Sequence, residues 1–190
     1  RDVKFNNDGT KIFILGRAND KVYEHSVSTP FDVSTISAVV RTLDISVVDS
    51  SQGDNAANSI EFNTDGTKLF VLGQGQDLVN EYTLTTGFDI STAAYSQNFS
   101  VTSQGELMSG VQFNSDGTTM YVLNGGTTGQ GHNTIFQYTL TTAFDVSTAS
   151  FADKQFSVVD EENKARGFCF GDNGTQLYVA GWRGDDVNQY

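Results

Sequence analysis

Along this chain, short runs in which apolar and polar positions alternate give way, after a polar turn, to denser apolar runs. The pattern recurs four times. Val111-Gln112-Phe113 is followed by Asn114-Ser115-Asp116-Gly117-Thr118 and then by Met120-Tyr121-Val122-Leu123. The same order runs over Val3 to Leu15 and Ile60 to Leu72, and in a weaker form over Phe168 to Ala180. Alternation of period two suits a strand with one covered face, and an unbroken apolar run suits a strand covered on both. The Asp-Gly pair between them tolerates the bridge region and positive φ, as a type I turn closed by a G1 bulge requires. In the fourth copy the turn reads Gly171-Asp172-Asn173-Gly174, with Asn173 in the Asp position. Each copy predicts a β-hairpin.

The turn glycines Gly9, Gly66, Gly117 and Gly174 are spaced by 57, 51 and 57 residues, a propeller blade of ~40 to 50 residues plus a loop. Four strands fit each unit. Strand A is Val3 to Phe5, Ile60 to Phe62, Val111 to Phe113 and Phe168 to Phe170. Strand B is Ile12 to Leu15, Leu69 to Leu72, Met120 to Leu123 and Leu177 to Ala180. Strand C is Val22 to Val27, Val79 to Leu84, Ile135 to Leu140 and Val187 to Tyr190, which aligns His25 with Tyr82, Tyr138 and Tyr190 and makes it a packing position. Strand D is Leu43 to Val47, Asn98 to Val101 and Gln155 to Val158. Before it comes Phe31-Asp32-Val33-Ser34-Thr35, repeated as Phe88 to Thr92 and Phe144 to Thr148. There the Asp can cap a single helical turn that Phe and Val or Ile pin to the blade's outer edge. These elements define an all-β chain of about three and a half four-stranded antiparallel blades: about 1–48, 57–102, 109–159 and a partial 166–190.

The pairs Asp8-Gly9, Asp65-Gly66 and Asp116-Gly117, followed by Phe13-Ile14, Phe70-Val71 and Tyr121-Val122, resemble the "DGxxxYV" core of YVTN-type and WD-like propeller repeats. The Phe-Asp-Val-Ser-Thr element resembles repeats of secreted bacterial and phage surface proteins. There is no Trp-Asp dipeptide, and adjacent Asp and Gly do not fit the sialidase-type Asp box. The resemblance implies a propeller and says little of function, because propellers host unrelated activities. Propellers close with ~4 to 8 blades. An unclosed arc exposes blade faces and strand edges, so the expectation is a longer parent chain, or neighbouring copies that complete a ring. The opening Arg-Asp-Val fits a processed or excised segment.

Composition narrows the partners. Eleven Lys and Arg against 23 Asp and Glu give a net charge of −12. Nucleic acid and anionic membrane surfaces both call for cations, and no apolar run approaches the ~20 residues of a membrane span. The single Cys169 allows no intrachain disulfide, and as a free thiol flanked by Phe it is expected to be buried.

Candidate chemistry is sparse. The D–A loops carry Ser51 to Asp54, Ser103 to Glu106 and Asp160 to Asn163, and the B–C loops carry Asp20, Asp77, Asp185 and Asp186. Asp54, Glu106, Asp160 and Glu161 form the candidate cation site, with calcium the ion that suits carboxylate oxygens; no other cofactor is expected. The plainer reading is a solvated acidic rim. His132 lies in a Gly-rich insertion, Gly125 to Asn133, that has neither the Lys nor the helix of a phosphate loop. No Ser-His-Asp set or zinc spacing stands out. Trp182, just after strand B where other units carry Arg17, Gln74 and Gly125, could stack on a sugar or anchor an interface; packing beneath its loop is preferred. Arg183-Gly184-Asp185 spells a cell-attachment tripeptide. The expected role is a non-enzymatic structural or recognition module of an extracellular, cell-surface or virion-associated protein. A carbohydrate-binding propeller is the alternative, and a lactonase-like hydrolase follows it.

Overall fold

Alternating positions along the second strand of each middle sheet serve two different cores, and this fixes the architecture. The computed structural model describes residues 1–16, 20–46, 57–126, 132–171, 174–182 and 186–190. Asp54, Arg183, Asp185 and the 127–131 part of the insertion lie outside them, as do Arg17, Val47, Ser51 to Gly53, Asp172, Asn173 and Gly184. The first sheet holds β1 (Asp2–Phe5), β2 (Lys11–Gly16), β3 (Lys21–Val27) and β4 (Ile36–Asp44). The second holds β5 (Ala57–Phe62), β6 (Lys68–Gly73), β7 (Leu78–Leu84) and β8 (Ala93–Ser100). The third holds β9 (Met108–Phe113), β10 (Thr119–Asn124), β11 (Thr134–Leu140) and β12 (Ala149–Ser157). The fourth holds β13 (Ala165–Gly171), β14 (Gln176–Gly181) and β15 (Val187–Gln189). Every strand pairs antiparallel with the next in its sheet, and β1, β5, β9 and β13 lie side by side in turn. The chain is a β-propeller of four consecutive blades.

The core is three cores, one at each junction between sheets. Leu69 and Val71 of β6 pack with Phe13 and Leu15 of β2, whereas Phe70 and Leu72 pack with Met120 and Val122 of β10. Leu123 continues the series against Leu177 and Val179. The faces that lack a neighbouring sheet stay open: Val3 and Val33 of the first blade and Val187 of the fourth are exposed.

The turns and the Phe-Asp elements interlock at one end of each of the first three blades. Gly9, Gly66 and Gly117 have φ of 70°, 72° and 73°, the left-handed region that favours glycine. Their Asp side chains each accept from the hydroxyl and amide of the following Thr, at 2.5 and 3.0 Å for Asp8 and Thr10. Those hydroxyls first, and then the amides, hold the Asp8, Asp65 and Asp116 carboxyls below their ordinary value. Phe31, Phe88 and Phe144 also adopt positive φ, 60°, 55° and 55°, which a bulky residue adopts only where its surroundings compel it. The compulsion is visible. Each Phe amide donates to the carbonyl of the turn glycine, and each ring lies where a glycine Cβ would be. Asp32, Asp89 and Asp145 then cap one 3-10 turn by accepting from the Ser two residues on.

This plug also belongs to the preceding blade. Ile90 and Val146 are fully buried, and their amides donate to Glu24 (3.3 Å) and Glu81 (3.1 Å) of the sheet before. Lys11 pairs with Glu24 and donates to the Phe88 carbonyl, and Lys68 does the same for Glu81 and Phe144. Arg41 bridges Glu24 to Asp89, while Gln97 bridges Glu81 to Asp145. The plug thus sits between sheets rather than at an outer edge.

Two other expectations change. The outer strands begin at Ile36, Ala93 and Ala149 and run far longer than expected. They are exposed edge strands with many Ser and Ala, so no apolar alternation marks them, and register shifts near their middles interrupt the pattern further. Cys169 is exposed rather than buried. It lies on the β13 face that would meet a following blade.

Glu81→Ala should lower the unfolding free energy by ~3–5 kcal/mol, because it removes the buried carboxylate that pairs the half-buried Lys68 and strands the buried Val146 amide. Lys21→Ala, which breaks an exposed 3.8 Å pair with Asp44, should cost less than ~1 kcal/mol; urea denaturation compares the two. Since the turn and plug carboxyls are depressed in the folded state, their stabilisation is present above the ordinary value of 3.8 and disappears as pH falls through their folded values. Melting temperature should therefore hold level from neutrality to about pH 5 and drop below about pH 4. A variant with Asp8, Asp65 and Asp116 all changed to Asn should melt lower near neutrality and show a shallower acid slope.

Candidate functional site

At the end opposite the plugs, a second set of strained residues fixes the corner where one blade hands over to the next. Asp20, Asp77 and Asn133 have φ of 43°, 50° and 49°. Their carbonyls accept the amides of Ile45, Val101 and Val158 at 2.8–3.0 Å. The Asp77 carboxylate takes the Met108 amide and the Asn133 side chain takes the Ala165 amide, both at 2.8 Å. The close of one sheet and the first residue of the next inner strand are thereby held at one point. Asp77 is consequently buried and structural, not a member of an acidic rim.

Each inner strand so anchored presents its opening residues to the axis. Arg1, Asn58, Ser109 and Arg166 line a cavity of about 550 Å³ together with Gln74 and Trp182. A smaller space of about 100 Å³ shares the first four of these residues and reaches Asp2 and Lys4. Asn58 donates to the Met108 carbonyl at 2.7 Å and to Gln74 Oε1 at 3.3 Å. Asp2 accepts from the Ser59 hydroxyl and the Ile60 amide, at 2.8 and 2.9 Å. Lys4 pairs with Glu61 at 2.8 Å. Burial alone would lower the Lys4 pKa, but Glu61 and Asp2 outweigh it and hold the amine above its ordinary value.

The electrostatics of this mouth run against those of the chain. Arg1, Lys4, Lys164 and Arg166 gather around the axis of a molecule whose net charge is −12. Lys164 Nζ lies 3.8 Å from the centre of the Trp182 ring and the Arg166 guanidinium 5.2 Å from it, a spacing at which the ring face attracts cations. Beside them Glu162 is buried over Gly181, accepts the Lys164 amide at 2.6 Å, and has no hydrogen-bond partner for Oε2 among the described residues. A funnel with two guanidinium groups, an ammonium-capped indole and amide and hydroxyl groups can orient a small anion bearing hydroxyls.

Of the singled-out residues that are described, only Trp182 lines this funnel. It is 59% exposed rather than tucked beneath its loop. His132 is half-buried, and its carbonyl accepts from the Thr134 hydroxyl. Glu106 and Asp160 are exposed, and Glu161 accepts from the Tyr190 hydroxyl at 3.3 Å. Asp54, Arg183 and Asp185 lie outside the described residues. Among the described residues no group of three or more His, Cys, Asp or Glu is gathered closely enough to hold a metal ion. Arg1, Asn58, Ser109 and Arg166 had a signal that sequence reasoning missed. They are separated by the same 57, 51 and 57 residues as the turn glycines, and so share one repeat position whose identity changes from blade to blade. Gln74 and Trp182 share another.

No protein-family model matches the chain. No curated protein matches it either. Solved propellers do. The putative 6-phosphogluconolactonase of Bacteroides uniformis superposes over 100% of this chain and 49% of its own, with 14% identity and a TM-score of 0.62. The periplasmic gluconolactonase PpgL of Pseudomonas aeruginosa aligns over 98% and 48%, with 19% identity and a TM-score of 0.58. The Cps50 (Swd1) propeller domain of Myceliophteria thermophila aligns over 99% and 52%, with 9% identity and a TM-score of 0.56. The chain thus spans about half the length of these structures, and at such identities the likeness establishes the fold. It also corrects the expectation of a non-enzymatic chain, since two of these three propellers are described as sugar lactonases.

The one tryptophan of the chain reports on the mouth. Its emission should lie close to that of an exposed indole and be quenched by acrylamide, while Lys164→Ala should change its yield. A blue-shifted, unquenched emission would place Trp182 in packing instead.

Proposed function

We propose that the axial funnel recognises a small, hydroxyl-rich anion of the sugar-acid class, and that the four blades act as a recognition module built around it. The observation that carries this reading is the convergence of Arg1, Arg166 and Trp182 on one cavity, at the two repeat positions that vary while the scaffold repeats, with Lys164 set over the indole. The cavity, about 550 Å³, has room for a sugar acid with its water, and its amide and hydroxyl lining matches hydroxyl groups. The names of the lactonase propellers point to the same ligand chemistry. The repeats are read as the YVTN-like kind, on the Asp-Gly turns and the apolar runs that follow. A place outside the cell, on a cell surface or on a virion goes with the acidic balance and the exposed Ser and Thr positions.

Glu162 favours a second reading. A buried carboxylate with one oxygen that has no partner among the described residues, beside the funnel residue Trp182, is the kind of group that could take a proton from water attacking a lactone carbonyl.

Titration calorimetry with gluconate, 6-phosphogluconate and glucose tests the first reading. The two acids should bind, more weakly as salt rises, and glucose should not. Arg166→Ala should weaken binding by about ten-fold or more. Absence of binding by both acids, or equal binding of glucose, would overturn it. Acid release from glucono-δ-lactone above the spontaneous rate, lost in Glu162→Gln while gluconate still binds, would establish the second.

A further inference from the structure

A groove of about 350 Å³ between the third and fourth sheets matches, position by position, the seats that hold the plugs at the other two junctions. In the occupied seats three rings meet. Phe88 packs on Phe62, which packs on Phe13, and Phe144 packs on Phe113, which packs on Phe70. In the groove the first two rings are already in place as Tyr121 and Phe170, with centroids 4.6 Å apart. The third position is open. A Cβ on Gly66 or Gly117 would overlap the plug ring, whereas a Cβ on Gly174, at the same turn position and with φ of 87°, would meet nothing within 4 Å.

The polar fittings are also present. Gln137 stands where Glu24 and Glu81 stand, opposite Tyr121 in register as they are opposite Phe13 and Phe70. Those carboxylates accept the amide of the plug's aliphatic residue, and a Gln carbonyl oxygen accepts the same bond. Lys154 pairs in register with Gln137 as Arg41 does with Glu24 and Gln97 with Glu81. Arg41 and Gln97 hold the plug Asp at 3.0 and 2.7 Å, and Lys154 brings a cation to that place. Beyond the groove, the fourth sheet ends at β15, and among the described residues no strand pairs with its outer edge. In the other three sheets that edge carries the strand which follows the plug.

We propose that this groove is a docking site for a polypeptide segment that opens with Phe-Asp-(Val or Ile)-Ser-Thr and continues as a β-strand. The Phe ring seats on Gly174 against Phe170 and Tyr121, its Asp meets Lys154, and the following residues extend the fourth sheet along β15. Three seated copies of this element within the same chain state the chemistry of the occupant. The groove has no lining residue in common with the axial funnel, so the two sites can be tested separately.

The probe is a labelled synthetic peptide copying residues 141–157, Thr-Thr-Ala-Phe-Asp-Val-Ser-Thr followed by the β12 sequence, titrated into the intact 190-residue chain and followed by fluorescence anisotropy. Saturable one-to-one binding is expected. The peptide with its Phe replaced by Ala should bind at least about ten-fold more weakly, as should the wild-type peptide with the Lys154→Glu protein. Lys154 is exposed, so that variant should fold as wild type does. On binding, the amides of Val187 to Gln189 should gain protection from hydrogen exchange. No binding, equal binding of the Ala peptide, or protection that leaves β15 unchanged would each overturn the proposal.

Discussion

A blade of this protein has two greasy faces and no means of covering either by itself. Odd and even positions of β6 and β10 belong to different cores, so each middle sheet is stable only between two neighbours. What makes that apposition specific is one recurring interaction: a buried carboxylate of one sheet, Glu24 or Glu81, accepts the amide of the aliphatic residue in the next sheet's plug. Apolar contact alone would tolerate sliding of one sheet over another. A charged acceptor, buried to 1% exposure and held by Lys and by Arg or Gln, tolerates only one register, since any shift leaves it without partners.

The two ends of the blades divide the labour. At the plug end the residues repeat almost unchanged, because Gly must accept a ring in place of its own Cβ and Asp must cap both the turn and the 3-10 helix. At the other end Asp20, Asp77 and Asn133 repeat for the same kind of reason: each carbonyl closes its own sheet, and the Asp77 and Asn133 side chains staple it to the next. The residues they expose to the axis are under no such constraint. Arg1, Asn58, Ser109 and Arg166 differ in charge and size while occupying one repeat position, as do Gln74 and Trp182. A scaffold of this design can change the chemistry of its mouth one blade at a time without disturbing its cores.

Much of the architecture was legible in the sequence, because hairpin and propeller signals are local. Alternation in Val111 to Phe113, the Asp-Gly turn and the dense run Met120 to Leu123 each reflect backbone geometry within a few residues. The outer strands were harder to bound, since an exposed edge strand such as Ala149 to Ser157 buries little and so carries no hydrophobic period. Cys169 misled because its neighbours Phe168 and Phe170 point into the core while it points the other way. The site was poorly legible for a different reason. Attention to carboxylates picked out Asp77, which the fold uses for a backbone amide, and passed over Arg166 and Asn58, whose meeting depends on blades 51 or more residues apart in the chain. The repeat spacing held that information, and it becomes informative only when the position that varies is read as carefully as those that do not.

Native-state hydrogen exchange tests the interlocking of blades most directly. The amides of Ile90 and Val146, bonded to Glu24 and Glu81 of the preceding sheet, should exchange only with global unfolding, as the amides of β6 and β10 do. Val33 occupies the same position in a plug that meets no preceding sheet among the described residues, and it is 66% exposed; its amide should exchange orders of magnitude faster. Equal protection of all three, or fast exchange at Ile90 and Val146, would contradict the account.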